Sequence, residues 1–234
     1  MANLRGRYHT SPMVRQGFQL AFPEAAHLAG FLNRLVRWDG MSTFRIQTRG
    51  RILGAWAETP MGAIAFVAIP MQAPLETEID RFVSAGRMRD LIGDLTGDRR
   101  EHWDDHITLP DEMSPTIGLL EVPPSLGWIS AEKLTCAALV DLVEAGIRDF
   151  HDQVSALPSK NPAIEDQLAK EIWSRQGFAG MPLSGLHAAR QLGFLSHQDA
   201  KAEFATNQTW KRLITPAGQI FWRPQVKRAK LQLV

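Results

Sequence analysis

The 234-residue chain is 44% apolar and 22% charged, which is ordinary for a folded globular protein and excludes wholesale disorder. Its single cysteine, Cys136, excludes an internal disulfide and a multi-cysteine zinc site, and favours a reducing compartment. The first residues, MANLRGRYHT, contain no apolar signal core, and the longest apolar run is about half of what a membrane-spanning helix needs. We therefore expect a cytoplasmic protein without membrane contact.

Although the net charge is only +1, the chain contains two basic blocks and one acidic block. Residues 1–51 carry eight arginines against two acidic residues, and residues 201–234 carry seven lysines or arginines against one. Residues 76–121 carry twelve acidic residues against five arginines. Such blocks face a polyanion, or they face each other within the fold or across a dimer. The sum near zero favours mutual compensation over a nucleic-acid footprint.

The first half of the chain predicts an antiparallel sheet with two helices. In chain order we expect a strand over 14–22, a helix from Pro23 to Gly40, a meander over 44–49, 51–58 and 62–69, a helix capped by Ser84, an acidic loop from Gly97, and a strand over 117–122. Pro123 and Pro124 then interrupt the pattern and mark a boundary between two domains, residues 1–122 and 125–234.

The second half predicts mainly helices. We expect a long helix capped by Ser130, a second helix opening at Asn161-Pro162, a third over 184–192, a short fourth from Ser196 to Ala205, and a hairpin over 209–224. The fold class is therefore α+β, an antiparallel sheet with two helices followed by a mainly helical part that a β-hairpin closes. The two domains can pack as one compact unit.

No phosphate-binding, dinucleotide-binding, metalloprotease or hydrolase motif occurs in the sequence, so no cofactor and no catalytic residue is assigned, and a non-enzymatic role is favoured. One cluster offers an alternative. If residues 101–106 are helical, His102 and His106 lie on one face with Asp105 beside them, as in a site for a divalent metal ion. A solvated acidic loop explains the same residues.

Arg45, Arg49 and Arg51 alternate along a predicted strand and could present an anion-binding face. Nucleic-acid platforms interleave aromatic residues on the same face, whereas parity places Phe44 and Trp56 on the opposite one, unless a bulge at Gly50 or Gly54 shifts the phase. The alternative is a solvated sheet face that pairs with the acidic block.

The C-terminal hairpin carries the second candidate surface. Its interaction residues are Lys211, Arg212, Trp222, Arg223, Lys227 and Arg228. Three helices followed by a hairpin is the element order of a winged-helix DNA-binding regulator. However, the predicted helix before the hairpin carries Asp199 and Glu203 against Lys201, which would repel the phosphates of a DNA groove.

The stretches MPLSGLHAARQLGFL and TWKRLITPAGQIFWR, in the last quarter of the chain, resemble the C-terminal block of an uncharacterised family of proteins from high-GC Gram-positive bacteria. The resemblance implies no activity and no site. From the residues we expect a non-catalytic interaction or regulatory protein that binds a protein partner or itself through complementary acidic and basic surfaces. A winged-helix regulator and a metal-dependent enzyme are the alternatives.

Overall fold

The computed structural model describes residues 16–93, 103–159 and 161–224. The strands in these ranges are β1 (Gly17–Gln19), β2 (Thr43–Arg49), β3 (Ile52–Glu58), β4 (Ile64–Pro70), β5 (Asp80–Ser84), β6 (His106–Thr108), β7 (Ile129–Thr135), β8 (Gln176–Phe178), β9 (Met181–Pro182), β10 (Lys201–Asn207), β11 (Trp210–Thr215) and β12 (Gly218–Trp222). The helices are α1 (Phe22–Trp38), α2 (Ala85–Ile92), α3 (Cys136–Ser155), α4 (Pro162–Ser174) and α5 (Leu183–Gln191). None of these helices has the length and apolarity to cross a membrane.

Eight strands form one antiparallel sheet in the order β5-β2-β3-β4-β12-β11-β10-β7. The sheet consists of two matching halves, each a three-stranded meander extended by an edge strand that leads directly into a helix. The halves join where β4 pairs with β12, with Ile64 opposite Phe221. One sheet therefore runs through both predicted domains. Two small sheets pair β1 with β6 and β8 with β9.

The main core lies between this sheet and the helices on one of its faces. Alternation along β2 turns Phe44 and Ile46 into that core, and the apolar stripe of α1 buries Leu28 and Leu32 against the same layer. From the second half, α5 packs on β12 as α1 packs on β4. The predicted first helix, the meander and the Ser84 cap, which accepts the Arg87 amide at 3.3 Å, are confirmed.

The predicted start of the long helix is wrong. Residues 129–135 form strand β7, and α3 begins only after Thr135, whose hydroxyl accepts the Ala138 amide at 3.3 Å. Ala, Glu and Lys in this segment favour a helix locally, but pairing with β10 satisfies the backbone groups of one side of the strand. Ser130 therefore caps no helix.

The predicted fourth helix is also wrong, because residues 201–207 form strand β10, paired with β7 on one side and β11 on the other. Ala202 and Phe204 are spaced two residues apart and both lie in the core, as expected of a strand. The four polar residues of β10 hide this period in the sequence. The hairpin that follows lies inside the sheet and has no helix directly before it, so the winged-helix arrangement is absent here. The second half is thus mixed rather than mainly helical. The predicted strand at 117–122 is a short 3-10 helix, Ile117–Leu119, and β5 was not predicted.

Candidate interaction site

The face of the sheet that points away from the helices interleaves arginines with aromatic rings. Arg45 lies directly opposite Trp56 on β3 and Phe82 on β5, so all three share this face. The prediction that Trp56 lies on the opposite face is wrong, because the register of antiparallel strands, rather than parity counted along the chain, decides which residues share a face. The rings belong to a second apolar cluster, Ile64, Phe82, Leu119, Trp210 and Phe221, flanked by Trp56, Phe66 and Trp128.

Arg45 is already neutralised within the chain. Its Nε and Nη2 each donate to the Asp80 carboxylate at 2.7 Å, and its Nη1 donates to the Leu119 carbonyl at 2.9 Å. The hydrogen bond from Arg45 lowers the pKa of Asp80 below its usual value, and only 16% of the arginine side chain is exposed. Arg49 is exposed at the end of β2, and Arg51 donates to the Gln72 carbonyl. The three arginines thus have separate environments.

The basic residues of the hairpin are divided between the two faces of the sheet. The Arg212 guanidinium lies 5.4 Å from the Trp128 ring centroid, and burial lowers its pKa. Arg223 lies over the Trp210 ring and forms an ion pair with Glu121 at 2.8 Å. Glu121 belongs to the acidic block, as Asp80 does, so each basic block contacts the acidic block within the fold. The Lys211 side chain lies over Gly180, whereas Lys227 and Arg228 fall outside the described residues.

Trp222 takes part in a different feature, a groove of about 730 Å³ on the helix side of the sheet. Its walls come from four separate parts of the chain: Pro60 and Met61 in the turn after β3, Trp173 on α4, Pro182 just before α5, and Trp222 at the end of β12. Asp166 and Lys170 on α4 supply charge to a lining that is otherwise mostly apolar. We call this feature the tryptophan groove.

The wall of the tryptophan groove is backed by His187 of α5. Its ring centroid lies 4.5 Å from that of Trp173, and its Nδ1 is buried without a hydrogen-bond partner among the described residues. Burial, assisted by the charge of Arg190, lowers the pKa of His187 to about 4. The imidazole is therefore neutral at neutral pH, which keeps this wall uncharged.

Of the three proposed metal ligands, only Asp105 and His106 lie among the described residues. Asp105 precedes β6 and His106 begins it, so these two positions are not helical, while His102 lies outside the described residues. In residues 16–93, 103–159 and 161–224 no group of three or more His, Cys, Asp or Glu side chains is placed to hold a metal ion. Cys136 is buried in the first turn of α3, and burial raises the pKa of its thiol.

Sequence reasoning placed Trp222 among the interaction residues but missed the groove around it. The groove joins positions about 160 residues apart, from Pro60 to Trp222, and no local pattern links them. The content of seven tryptophans was the one signal in the sequence, since exposed tryptophans are enriched at binding sites.

Two joined half-sheets with helices along one face define an architecture shared with sliding clamps. The Caulobacter crescentus pol III beta structure superimposes with a TM-score of 0.55 at 10% identity, covering 89% of this chain and 65% of the clamp. A Pseudomonas aeruginosa DNA polymerase sliding clamp gives 0.53 at 13% identity, covering 92% of this chain and 65% of the clamp. The chain thus spans about two thirds of the length of these clamps, and at such identities the likeness concerns the fold alone.

At the level of sequence, two domain families of unknown function match the chain. Residues 13–104 match the domain of unknown function DUF8010, and residues 123–227 match the domain of unknown function DUF8185. A comparison with curated proteins found no match.

Proposed function

We propose that this chain is a non-catalytic interaction protein, and that its tryptophan groove binds a short apolar segment of a partner protein. The observation that carries the proposal is the groove itself: about 730 Å³ lined by Met61, Trp173 and Trp222 with two prolines. A volume in this range is typical of sites that enclose a ligand of several side chains. Tryptophans that line a concave surface are the residues that most often dominate binding energy at interfaces.

The distribution of charge also favours apolar recognition. Arg45 and Arg223 were candidates for contact with a partner, but each already holds an acidic side chain of this chain. An external anion would have to displace those carboxylates, which costs the existing hydrogen bonds. The groove requires no such displacement. We expect Asp166 and Lys170 to set the orientation of the bound segment rather than its affinity.

The related folds support an interaction role. The clamps of similar fold are described as DNA polymerase sliding clamps and as a polymerase III beta subunit, which places them in larger assemblies. The segment in the groove can come from another protein or from a second copy of this chain. A cytoplasmic location, which the cysteine content favours, is part of the proposal.

Selection of displayed random peptides on the immobilised full chain tests the proposal. We expect enriched peptides to share two or more apolar residues, and Met61→Glu to weaken their binding at least tenfold in fluorescence polarisation, about 1.4 kcal/mol. Ile117→Glu, a matched change at a residue that is 84% exposed away from the groove lining, should leave affinity within about twofold. Enrichment of nothing, or equal binding to Met61→Glu, would overturn the proposal.

Light scattering on the purified chain separates the two sources of the segment. A concentration-dependent dimer that Met61→Glu dissociates identifies a second copy as the occupant. A monomer whose groove still binds selected peptides identifies a different protein. A dimer insensitive to Met61→Glu places self-association on another surface and leaves the groove to the peptide test.

A further inference from the structure

The tryptophan groove contains hydrogen-bond donors that have no acceptor within the described part of the chain. The indole N–H groups of Trp173 and Trp222 donate to no atom of residues 16–93, 103–159 and 161–224, whereas those of Trp103 and Trp128 donate to backbone carbonyls. Neither of the two groove nitrogens is one of the buried side-chain atoms that lack a partner in these ranges, so both are accessible to solvent. A polar group on an apolar concave surface is a point at which a ligand can be recognised.

The orientation of Trp173 is set by close packing between α3 and α5. Its Cζ3 atom lies 3.5 Å from where a β-carbon would stand at Gly146, a buried residue of α3, and its ring packs on that of His187. Cζ3 lies directly across the benzene ring from the carbon that bears Nε1. The benzene edge is therefore inserted toward α3, and the N–H edge is turned away from that helix, while the residue lines the groove.

Asp166 and Lys170 add two unpaired charges to the lining of the groove. They lie four residues apart on α4, yet no ion pair joins either of them to a side chain in the described ranges. Over its whole length α4 carries three acidic residues against one lysine, so this rim of the groove is acidic. Charge complementarity therefore favours a basic residue beside Asp166 in the bound segment.

These groups suit a segment that is rich in acceptors and poor in N–H donors. Two indoles and the Lys170 ammonium supply donors to an otherwise apolar surface. The carbonyl groups of an α-helical segment are mostly paired within the helix, so they do not need these donors. In a polyproline II segment the carbonyls are unpaired, and each proline lacks the N–H group that would otherwise be desolvated without a partner.

We propose that the tryptophan groove binds a proline-rich segment of a partner protein in the polyproline II conformation, with an arginine or lysine of that segment beside Asp166. The indole N–H groups of Trp173 and Trp222 donate to backbone carbonyls of the segment, and its proline rings pack on the apolar lining. Aromatic grooves recognise such segments because the polyproline II helix is preformed and loses little entropy on binding. The inference rests on the proposed function for the place of binding and adds the chemistry of the bound segment.

The full chain labelled with ¹⁵N at tryptophan tests the inference, because each of its seven indole N–H groups gives one signal. The probe is the acetylated peptide RPLPPLP, and the matched peptide RALAALA replaces each proline by alanine. At saturation the proline peptide should move the Trp173 and Trp222 signals downfield, as new hydrogen bonds do. The Trp103 and Trp128 signals should stay in place, because these indoles already donate to carbonyls of the chain.

Fluorescence polarisation measures the affinities of the same peptides. The alanine peptide should bind at least about fivefold more weakly than the proline peptide. Trp173→Phe keeps an aromatic ring but removes the N–H donor, and it should weaken binding of the proline peptide at least about threefold. The matched change Trp128→Phe, on the other face of the sheet, should leave the affinity within about twofold. In Asp166→Asn, replacing the arginine of the peptide by citrulline should cost less affinity than it does in the parent protein.

Three results would overturn the inference while leaving the proposed function intact. The alanine peptide could bind as tightly as the proline peptide, or the proline peptide could bind in a manner lost in Met61→Glu without moving the Trp173 and Trp222 signals. Peptides selected on the parent protein could contain no proline. In each case the groove binds apolar segments without recognising a polyproline II backbone. Failure of both probes and of all selected peptides to bind would overturn the proposed function together with this inference.

Discussion

Replacing His187 by glutamine should change how the stability of the protein depends on pH. The imidazole lies between two tryptophans, with ring centroids 4.5 Å from Trp173 and 6.1 Å from Trp38. Burial and the nearby Arg190 lower its pKa from 6.5 to about 4, while Glu144 acts in the opposite direction. In the unfolded chain the same histidine takes up a proton near pH 6.5, so acid favours the unfolded state.

The size of the effect follows from the two pKa values. Above pH 6.5 the histidine is neutral in both the folded and the unfolded chain, and its contribution to the free energy of unfolding is fully present. That contribution is lost as the pH falls from 6.5 toward about 4, because in this range only the unfolded chain takes up the proton. Each pKa unit of difference corresponds to about 1.36 kcal/mol, which gives an upper limit of about 2 kcal/mol between pH 7.5 and pH 5. Solvent reaches part of the ring and screens its charge, so we expect about 1 kcal/mol.

Urea unfolding at pH 7.5 and pH 5, followed by tryptophan fluorescence, measures this difference. The parent protein should lose about 1 kcal/mol more free energy of unfolding between the two pH values than His187→Gln, which cannot be protonated. His197→Gln, at an exposed histidine, should behave as the parent does. If the parent and His187→Gln lose the same free energy on acidification, the burial of a neutral imidazole beside the groove is refuted.

Three further substitutions test the fold by urea unfolding. Asp80→Asn should lower the free energy of unfolding by about 1 kcal/mol at pH 7, and the deficit should shrink as the pH falls below about 4 and vanish only below the lowered pKa of the folded carboxyl, since this group stabilises the fold only while it is ionised; an unchanged deficit at pH 3 would contradict the ion pair. Thr135→Ala should cost about 1 kcal/mol and Ser130→Ala less than about 0.5, an order that reverses if the helix begins at Ser130. Gly54→Val should cost about 1–3 kcal/mol, because a β-carbon there lies 2.8 Å from the Phe66 ring, and a neutral result would contradict that close approach.

How far the sequence predicts the fold depends on how local the determining contacts are. The periods of α1 and the β2–β4 meander appear in consecutive residues, so pattern alone predicts them. Strands β7 and β10 contain helix-forming residues and become strands because they pair with each other across about 70 positions. The charge blocks were informative, since the contacts of Asp80 with Arg45 and of Glu121 with Arg223 join the acidic block to both basic ones.

The tryptophan groove could not be predicted in the same way. The walls of the tryptophan groove come from the turn that contains Pro60, from α4, from Pro182 and from the end of β12. Each wall residue has an ordinary local role, as Pro182 does at the start of α5. Only the joining of the two half-sheets brings these residues together.

The pairing of β4 with β12 also determines when the protein can finish folding. The two strands are about 150 residues apart, which makes their closure a slow, non-local step. A ribosome adds roughly 5–20 residues per second, so the edge of β4 stays unpaired on the order of ten seconds during synthesis. That edge includes Ile64, Ala65 and Phe66, an apolar template for pairing with other chains. A nascent or truncated chain without β12 is therefore the form of this protein most prone to aggregate.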